Sequence, residues 1–294
     1  MAASEIKIEE ITFGCEIECC IPEATTVIAG GYYTRGLQVP ELPAGWVAKK
    51  DCTIAAGRDY NAVEIVSPVL KGADGLKQLA FVLEWLRSVG AKVNSSCGFH
   101  VHTGFSYSAS PQLARLVDLT VKYEKALYAA SGTRSRETCG FCKPLKSCNK
   151  LVGKFADKKG IRSHYDLGLD HGDRFFTLNL TNIAEGVRPA AEYRVFSGTL
   201  STVKAVGFVR LALGLAHKAL SSPATRRVKW DASRHQRRKG EGQNALAWLF
   251  LELGWMSPKG TKFGVIEGDG IPTLKESKAE LVRLAAKYDG GAND

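Results

Sequence analysis

Three pairs of chemically active residues share one spacing: Glu16-x-Glu18, His100-x-His102 and Glu192-x-Arg194. Side chains two positions apart on a strand point the same way, so each pair delivers both of its groups to one face of a sheet. In the first pair the opposite face is apolar, because Phe13, Cys15, Ile17 and Cys19 alternate with Gly14, Glu16 and Glu18. Glu64, within Val63-Glu64-Ile65-Val66, is flanked by aliphatic residues that argue for burial. If these strands are neighbours, four carboxylates and two imidazoles meet around one cavity, a crowding that only cations relieve. Oxygen-rich sites with an occasional imidazole suit hard ions such as magnesium or manganese, whereas zinc favours more nitrogen or sulfur. Magnesium commonly accompanies nucleotide phosphates, and Arg194 offers a planar donor fork for phosphate or carboxylate. The chemistry these residues point to is phosphoryl transfer or an ATP-driven condensation. Taken singly, an E-x-E pair is more often a solvated strand face, and an H-x-H pair is shared with zinc hydrolases. Their joint occurrence on three strands is what carries weight.

The elements that must position these groups are read from periodicity. Strands are predicted over Thr12 to Cys20, Ala62 to Ser67, Cys97 to Gly104, Arg174 to Thr181 and Ala191 to Phe196. Helices are predicted over Gly75 to Val89, whose stripe is Leu76, Leu79, Val82, Leu83 and Leu86, over Pro111 to Ala130, opened by Ser110 as a cap, and over Thr202 to Leu220. Strand and helix interleave without a regular repeat, which predicts an α+β sheet protein and not a doubly wound one. The stretch from Pro22 to Lys50 shows no periodicity and reads as an irregular loop. Beyond Leu220 the character changes. Thr225 to Gly242 carries seven basic residues against Asp231 and Glu241, and two helical patterns follow, Asn244 to Leu253 and Leu274 to Tyr288. The division expected is a catalytic domain over 1–220 and a basic loop with a helical extension over 221–294.

Several of these segments together resemble a known family. Gly14-Cys15-Glu16-Ile17-Glu18, Glu64-Ile65-Val66-Ser67-Pro68, Asn94-Ser95-Ser96-Cys97-Gly98-Phe99-His100-Val101-His102 and Glu192-Tyr193-Arg194-Val195-Phe196-Ser197-Gly198-Thr199 are similar to motifs of the amidoligase family. That family belongs with the glutamine synthetase-like carboxylate-amine ligases. Arg134-Ser135-Arg136, Phe141-Cys142-Lys143-Pro144-Leu145 and Leu178-Asn179-Leu180 resemble its central blocks. The resemblance runs in order from about residue 11 to 200 and does not cover the tail past 221.

What the resemblance implies is a glutamine synthetase-like catalytic fold, with a mostly antiparallel curved sheet and helices packed on one face. It implies that Glu16, Glu18, Glu64, His100 and Glu192 hold magnesium or manganese, and that His102 faces the nucleotide. Arg194 is expected on nucleotide phosphate or the transferring phosphoryl group, and Arg134 and Arg136 on phosphate or substrate carboxylate. The implied reaction is a two-step ligation: ATP phosphorylates a carboxylate, and an amine displaces phosphate from the acyl phosphate to form an amide. The Asn94 to His100 stretch is a residue longer than its counterpart in glutamine synthetases, so Asn94 is given no amine-site role. The expected partners are a small-molecule or peptide carboxylate and an amine.

Composition sets the outer bounds. The 294 residues carry 40 Lys and Arg against 30 Asp and Glu, a net charge of +10, and 45% are hydrophobic, which excludes a disordered or fibrous chain. The apolar stretches are broken by charges such as Glu84 and Arg210, so no membrane span is expected. Met1 to Glu10 has no apolar region typical of a secretory signal, which predicts a cytoplasmic protein. The eight cysteines then read as reduced thiols, and Cys139-x-x-Cys142 as half of a zinc pattern whose second half is missing. Two other functions compete. A zinc metallohydrolase would use His100 and His102 with His164 or His171 as third ligand, but a cupin variant needs a glutamate where Ser106 and Tyr107 stand. A nucleic-acid binder would use the 225–242 basic run. That run has Trp230 as its lone aromatic and no accompanying motif, so a solvated loop is preferred.

Overall fold

A computed structural model describes residues 6–25, 29–31, 36–105, 110–148, 150–151, 167, 169–221 and 240–291. Among them eight strands form one sheet: β1 (Thr12–Pro22), β2 (Leu37–Gln38), β3 (Val47–Lys50), β4 (Tyr60–Val66), β5 (Leu70–Lys71), β6 (Gly98–Gly104), β7 (Leu178–Asn179) and β8 (Ala190–Ser197). The order across it is β2-β3-β4-β1-β6-β8-β7, with β5 continuing beside β1 after β4 ends. Every pairing is antiparallel, so the class is α+β with an antiparallel sheet. The switch from β4 to β5 is fixed by Ser67, whose Oγ accepts from Cys15 N at 2.8 Å and donates to Pro68 O at 2.7 Å.

The α-helices whose bounds lie among the described residues are α1 (Gly72–Ser88), α2 (Ser110–Ser131), α3 (Ser135–Thr138), α4 (Thr181–Ala184), α5 (Thr202–Ser221), α6 (Glu241–Glu252) and α7 (Leu274–Asp289). The alternation in β1 does what period-two sequences do: Phe13, Cys15, Ile17 and Cys19 are buried, together with Val63, Ile65, Phe99 and Val101 from the neighbouring strands. Against this apolar face lies α5, buried along almost its whole length. Phe208 of α5 stacks on Phe196 of β8 with ring centroids 4.4 Å apart. The α1 stripe Leu76, Leu79, Val82, Leu83 and Leu86 is fully buried in the same core.

The segment expected as an appended C-terminal element sends its two helices into that core as well. Leu246 and Leu249 of α6 and Leu281 and Leu284 of α7 join the residues that line α2 and α5. Arg210, wholly buried on α5, donates to Ser277 Oγ at 2.6 Å and to Ile266 O at 2.7 Å, which pins the connection before α7. The basic run, as far as residue 239, lies outside the described residues, as does His164. No helix among the described residues is long and apolar enough to cross a membrane.

Two sequence readings are corrected. The expected strand Arg174 to Thr181 is a strand only at Leu178–Asn179, between a 3-10 turn at His171–Phe175 and α4. The reason is local competition for backbone donors. Asp170 accepts from Gly172 N, and Asn179 Oδ1 accepts from Thr181 N at 2.9 Å and from Thr181 Oγ1 at 2.8 Å. The stretch Pro22 to Lys50, read as irregular, contains β2 and β3, and β3 extends the sheet along β4.

Candidate active site

Antiparallel register sets the site. Reading across the sheet, Lys49 stands opposite Glu64, Glu64 opposite Glu18, Glu16 opposite His100, His102 opposite Glu192 and Glu192 opposite Asn179. Five strands from β3 to β8, with β7 beyond them, thus turn one row of polar side chains away from the helices. A bulge on β8 keeps this row intact. Phe99 pairs with Phe196 and Val101 with Tyr193, so β8 carries one more residue than β6 between the two pairs. Tyr193 and Phe196 therefore both enter the core while Arg194 remains beside Glu192.

The groups touch. His100 Nδ1 lies 3.1 Å from Glu16 Oε2 and 3.5 Å from Glu192 Oε1, and its Nε2 lies 3.4 Å from Glu18 Oε1. His102 Nε2 is 3.0 Å from Glu16 Oε1. Glu192 accepts from Arg194 Nη1 at 2.5 Å and from Asn179 Nδ2 at 2.6 Å. The other oxygen of Glu18 accepts from Gly98 N. A Cβ at residue 98 would sit 2.8 Å from His100 Nε2 and 3.2 Å from Glu18 Oε2, which is why this position is glycine.

Burial and charge act against each other here. Burial alone would raise Glu16, but the His102 and His100 imidazoles reverse it and hold the carboxyl well below the usual range. Burial also opposes ionisation of Glu192, and Arg194 and His102 overcome it and lower that carboxyl. Glu64 goes the other way. Its burial and its repulsion from Glu16 push it well above the usual range, with Lys49 opposing. The His102 ring, which burial would hold neutral, is raised by Glu16 and Glu192.

A cavity of about 580 Å³ opens over this row, within the range of small-molecule sites. The expected residues Glu16, Glu18, Glu64, His100, His102, Glu192, Arg194 and Arg136 all line it. Arg136 turns its guanidinium to the sheet backbone, donating from Nη2 to Arg194 O at 2.5 Å and from Nε to Val195 O at 3.4 Å. Arg134 is a correction. It stands outside the cavity lining, its Nε donating to Tyr288 O at 3.2 Å and its guanidinium lying 4.5 Å from the centre of the Tyr288 ring. Both contacts are with the last turn of α7. Lining residues that sequence reasoning missed are Asp51, Lys49, Asn179, Arg174 and Arg188. Asp51 is buried, and its Oδ1 accepts from Thr53 N and Thr53 Oγ1.

The donors fit divalent cations. Three overlapping triads have ligand atoms within 4.8 Å of one another: Glu16, Glu64 and His100; Glu16, His102 and Glu192; and Glu18, Asp51 and Glu64. Each is dominated by carboxylate oxygen with at most one imidazole, a donor set for magnesium or manganese. His102, expected to face the nucleotide, stands in one of these carboxylate triads. No such cluster among the described residues includes a cysteine.

A family model described as "Putative amidoligase enzyme" matches residues 38–216, more than half of the chain. No curated protein matches this sequence. Among solved structures, the chain is similar to a bifunctional glutathione synthetase from Pasteurella multocida, at 12% identity and a TM-score of 0.46. The match covers 97% of this chain and 48% of that one, so the chain spans about half the length of that protein.

Proposed function

The chain belongs to the amidoligase family, and from that premise we propose that it is an ATP-dependent carboxylate-amine ligase working through an acyl phosphate. The fold that goes with this reading is a glutamine synthetase-like catalytic sheet. The observation that carries it is the sharing of Glu16 by two donor triads, with Arg194 against the Glu192 of one of them. A carboxylate is a poor acylating agent, and moving a phosphoryl group onto it gathers negative oxygens in one place. Magnesium or manganese, held by Glu16, Glu18, Glu64, His100 and Glu192 with Asp51 and His102, would supply the positive charge that offsets this repulsion.

The remaining roles fall to the chain itself. Arg194 is aimed by two acceptors, Glu192 and the Phe141 carbonyl 3.3 Å from its Nε, and is the donor proposed for the transferring phosphoryl group. Arg136 acts as a positioning residue by holding the backbone of Arg194 and Val195. Lys49, Arg174 and Arg188 on the cavity wall give the acid substrate and the nucleotide phosphates a basic surround. The substrates proposed are a small-molecule or peptide carboxylate and an amine. The compartment proposed is the cytoplasm, where thiols such as the eight free cysteines stay reduced.

A melting experiment tests the reading. Magnesium with ATP or ADP is expected to raise the melting temperature, equivalent to about 2.7 kcal/mol at a hundredfold excess over Kd. An unchanged melting temperature at saturating nucleotide opposes it.

A further inference from the structure

Cys139 and Cys142 flank the backbone that aims Arg194, and the ligation chemistry uses neither. Cys139 follows α3, is partly exposed and lines the cavity; Cys142 is fully buried behind it. Three contacts fix the geometry of the pair. The Cys139 sulfur accepts from Phe141 N at 3.4 Å, Cys142 N donates to Cys139 O at 3.5 Å across the tight turn that joins them, and Cys142 Sγ lies 2.9 Å from Arg136 O, to which it donates. The residue between them that matters for the site is Phe141, whose carbonyl accepts from Arg194 Nε at 3.3 Å. One sulfur is thus reachable from the cavity, the other is poised behind it, and the loop joining them touches the catalytic arginine.

We propose that Cys139 and Cys142 form a peroxide-reactive dithiol in the cavity wall, whose disulfide draws the Phe141 carbonyl away from Arg194. The chemistry balances with hydrogen peroxide as oxidant. The Cys139 thiolate attacks one peroxide oxygen; an S–O bond forms, the O–O bond breaks and hydroxide leaves to become water. Sulfur is oxidised and peroxide reduced. The Cys142 sulfur then attacks the sulfenic acid, an S–S bond forms, the S–O bond breaks, and water leaves with the proton of Cys142. Two thiols and one peroxide become one disulfide and two waters. The local hydrogen bonds support the assignment of roles. Contact with the Cys142 thiol, then the Phe141 N–H and the Arg136 charge, bring the Cys139 thiol down to about 5 against the opposing effect of burial. The Cys139 contact and burial push Cys142 up, as suits a resolving thiol that stays protonated until the attack.

The effect on Arg194 rests on the ligase reading; disulfide formation does not. The test uses the full chain with limiting hydrogen peroxide, followed by peptide mass spectrometry with and without dithiothreitol. Exposed Cys52 is the internal control. The expected product links Cys139 to Cys142 and is reversed by dithiothreitol. In Cys142→Ser the reaction stops at a sulfenic acid on Cys139, trapped by dimedone. Should that variant fail to fold, competitive alkylation of the wild-type protein at pH 6 serves instead, with Cys139 expected to react about 10-fold faster than Cys52. Oxidation or alkylation of Cys52 ahead of Cys139, or peroxide consumption that leaves both thiols free, overturns the proposal. The coupling to Arg194 is read by the magnesium–ADP melting shift of reduced and oxidised protein. A smaller shift after oxidation is expected, and an equal shift in both forms overturns the coupling. A reduced protein with no shift at all, yet with the disulfide formed, removes the ligase reading and leaves the dithiol standing.

Discussion

Glu18 and Glu64 stand directly opposite each other on β1 and β4, and Lys49 faces Glu64 from β3. Like charges in that arrangement destabilise a sheet. Burial and the neighbouring Glu16 ease the conflict by favouring the protonated carboxyl, pushing Glu64 well above the ordinary carboxylate range. A metal ligand must be anionic, so cation binding at this triad has to expel the Glu64 proton.

Metal binding is therefore expected to release protons, and its affinity to rise with pH until Glu64 ionises on its own. Titration calorimetry of manganese in buffers of different ionisation enthalpy measures this directly. A heat that is the same in every buffer contradicts it. The stability linkage has a definite sign. Glu64 binds its proton more tightly folded than unfolded, so the metal-free protein loses this contribution as pH rises from the ordinary carboxylate value to the raised one. Glu64→Gln should stabilise the metal-free protein by about 1 kcal/mol above that window and weaken manganese binding. Glu16 has the opposite sign: its lowered carboxyl contributes above the ordinary value and is lost as pH falls through the depressed one.

Gly98 gives a steric test of the same site. A methyl group there meets the His100 ring and the Glu18 carboxylate. Gly98→Ala should cost about 1–3 kcal/mol of stability, as overpacking does, and should weaken manganese binding as well. Unfolding and calorimetry on the one variant separate these effects. Wild-type manganese affinity in Gly98→Ala would show that neither side chain serves as a ligand.

Away from the cavity, Glu252 at the end of α6 gathers Lys218 at 2.8 Å, Tyr123 at 2.5 Å and Lys122 at 3.3 Å, tying α6 to α2 and α5. Burial would raise this carboxyl, and these partners instead bring it down to about 2. Glu252→Gln should destabilise the fold by about 1–3 kcal/mol at neutral pH, because it leaves partly buried ammonium groups without their counter-charge. The loss should shrink as the pH of the measurement approaches 2, where the wild-type carboxyl is itself protonated. Denaturant melts across pH follow this, and a difference that does not change with pH contradicts the ionic origin.

Much of the site was legible because its residues obey the strand period. Glu16 with Glu18, His100 with His102 and Glu192 with Arg194 needed only the rule that alternate side chains share a face, and the apolar partners in β1 named the other face. Glu64 was legible from its aliphatic flanks. Asp51 was not, because it follows a four-residue strand inside a stretch without alternation, and only pairing of β3 with β4 brings it in. Lys49 depends on that same pairing. Asn179 belonged to a recognised motif, but its contact with Glu192 comes from the register of β7 on β8, which sequence alone does not state. Arg134 misled for the converse reason. A basic residue in a motif that follows no strand period has no visible direction, and the ring that occupies its guanidinium lies 154 positions away.

The decisive measurement is ADP release by the purified protein with magnesium, ATP and pooled carboxylates and amines, with mass spectrometry of the condensed product. Wild type is expected to release ADP together with an amide. Glu16→Gln and Glu192→Gln should each lower the rate about 100-fold or more, since each removes charge compensation where phosphoryl oxygens gather. Undiminished ADP release in both variants, or no nucleotide consumption by the wild type with any pool, would contradict the assignment.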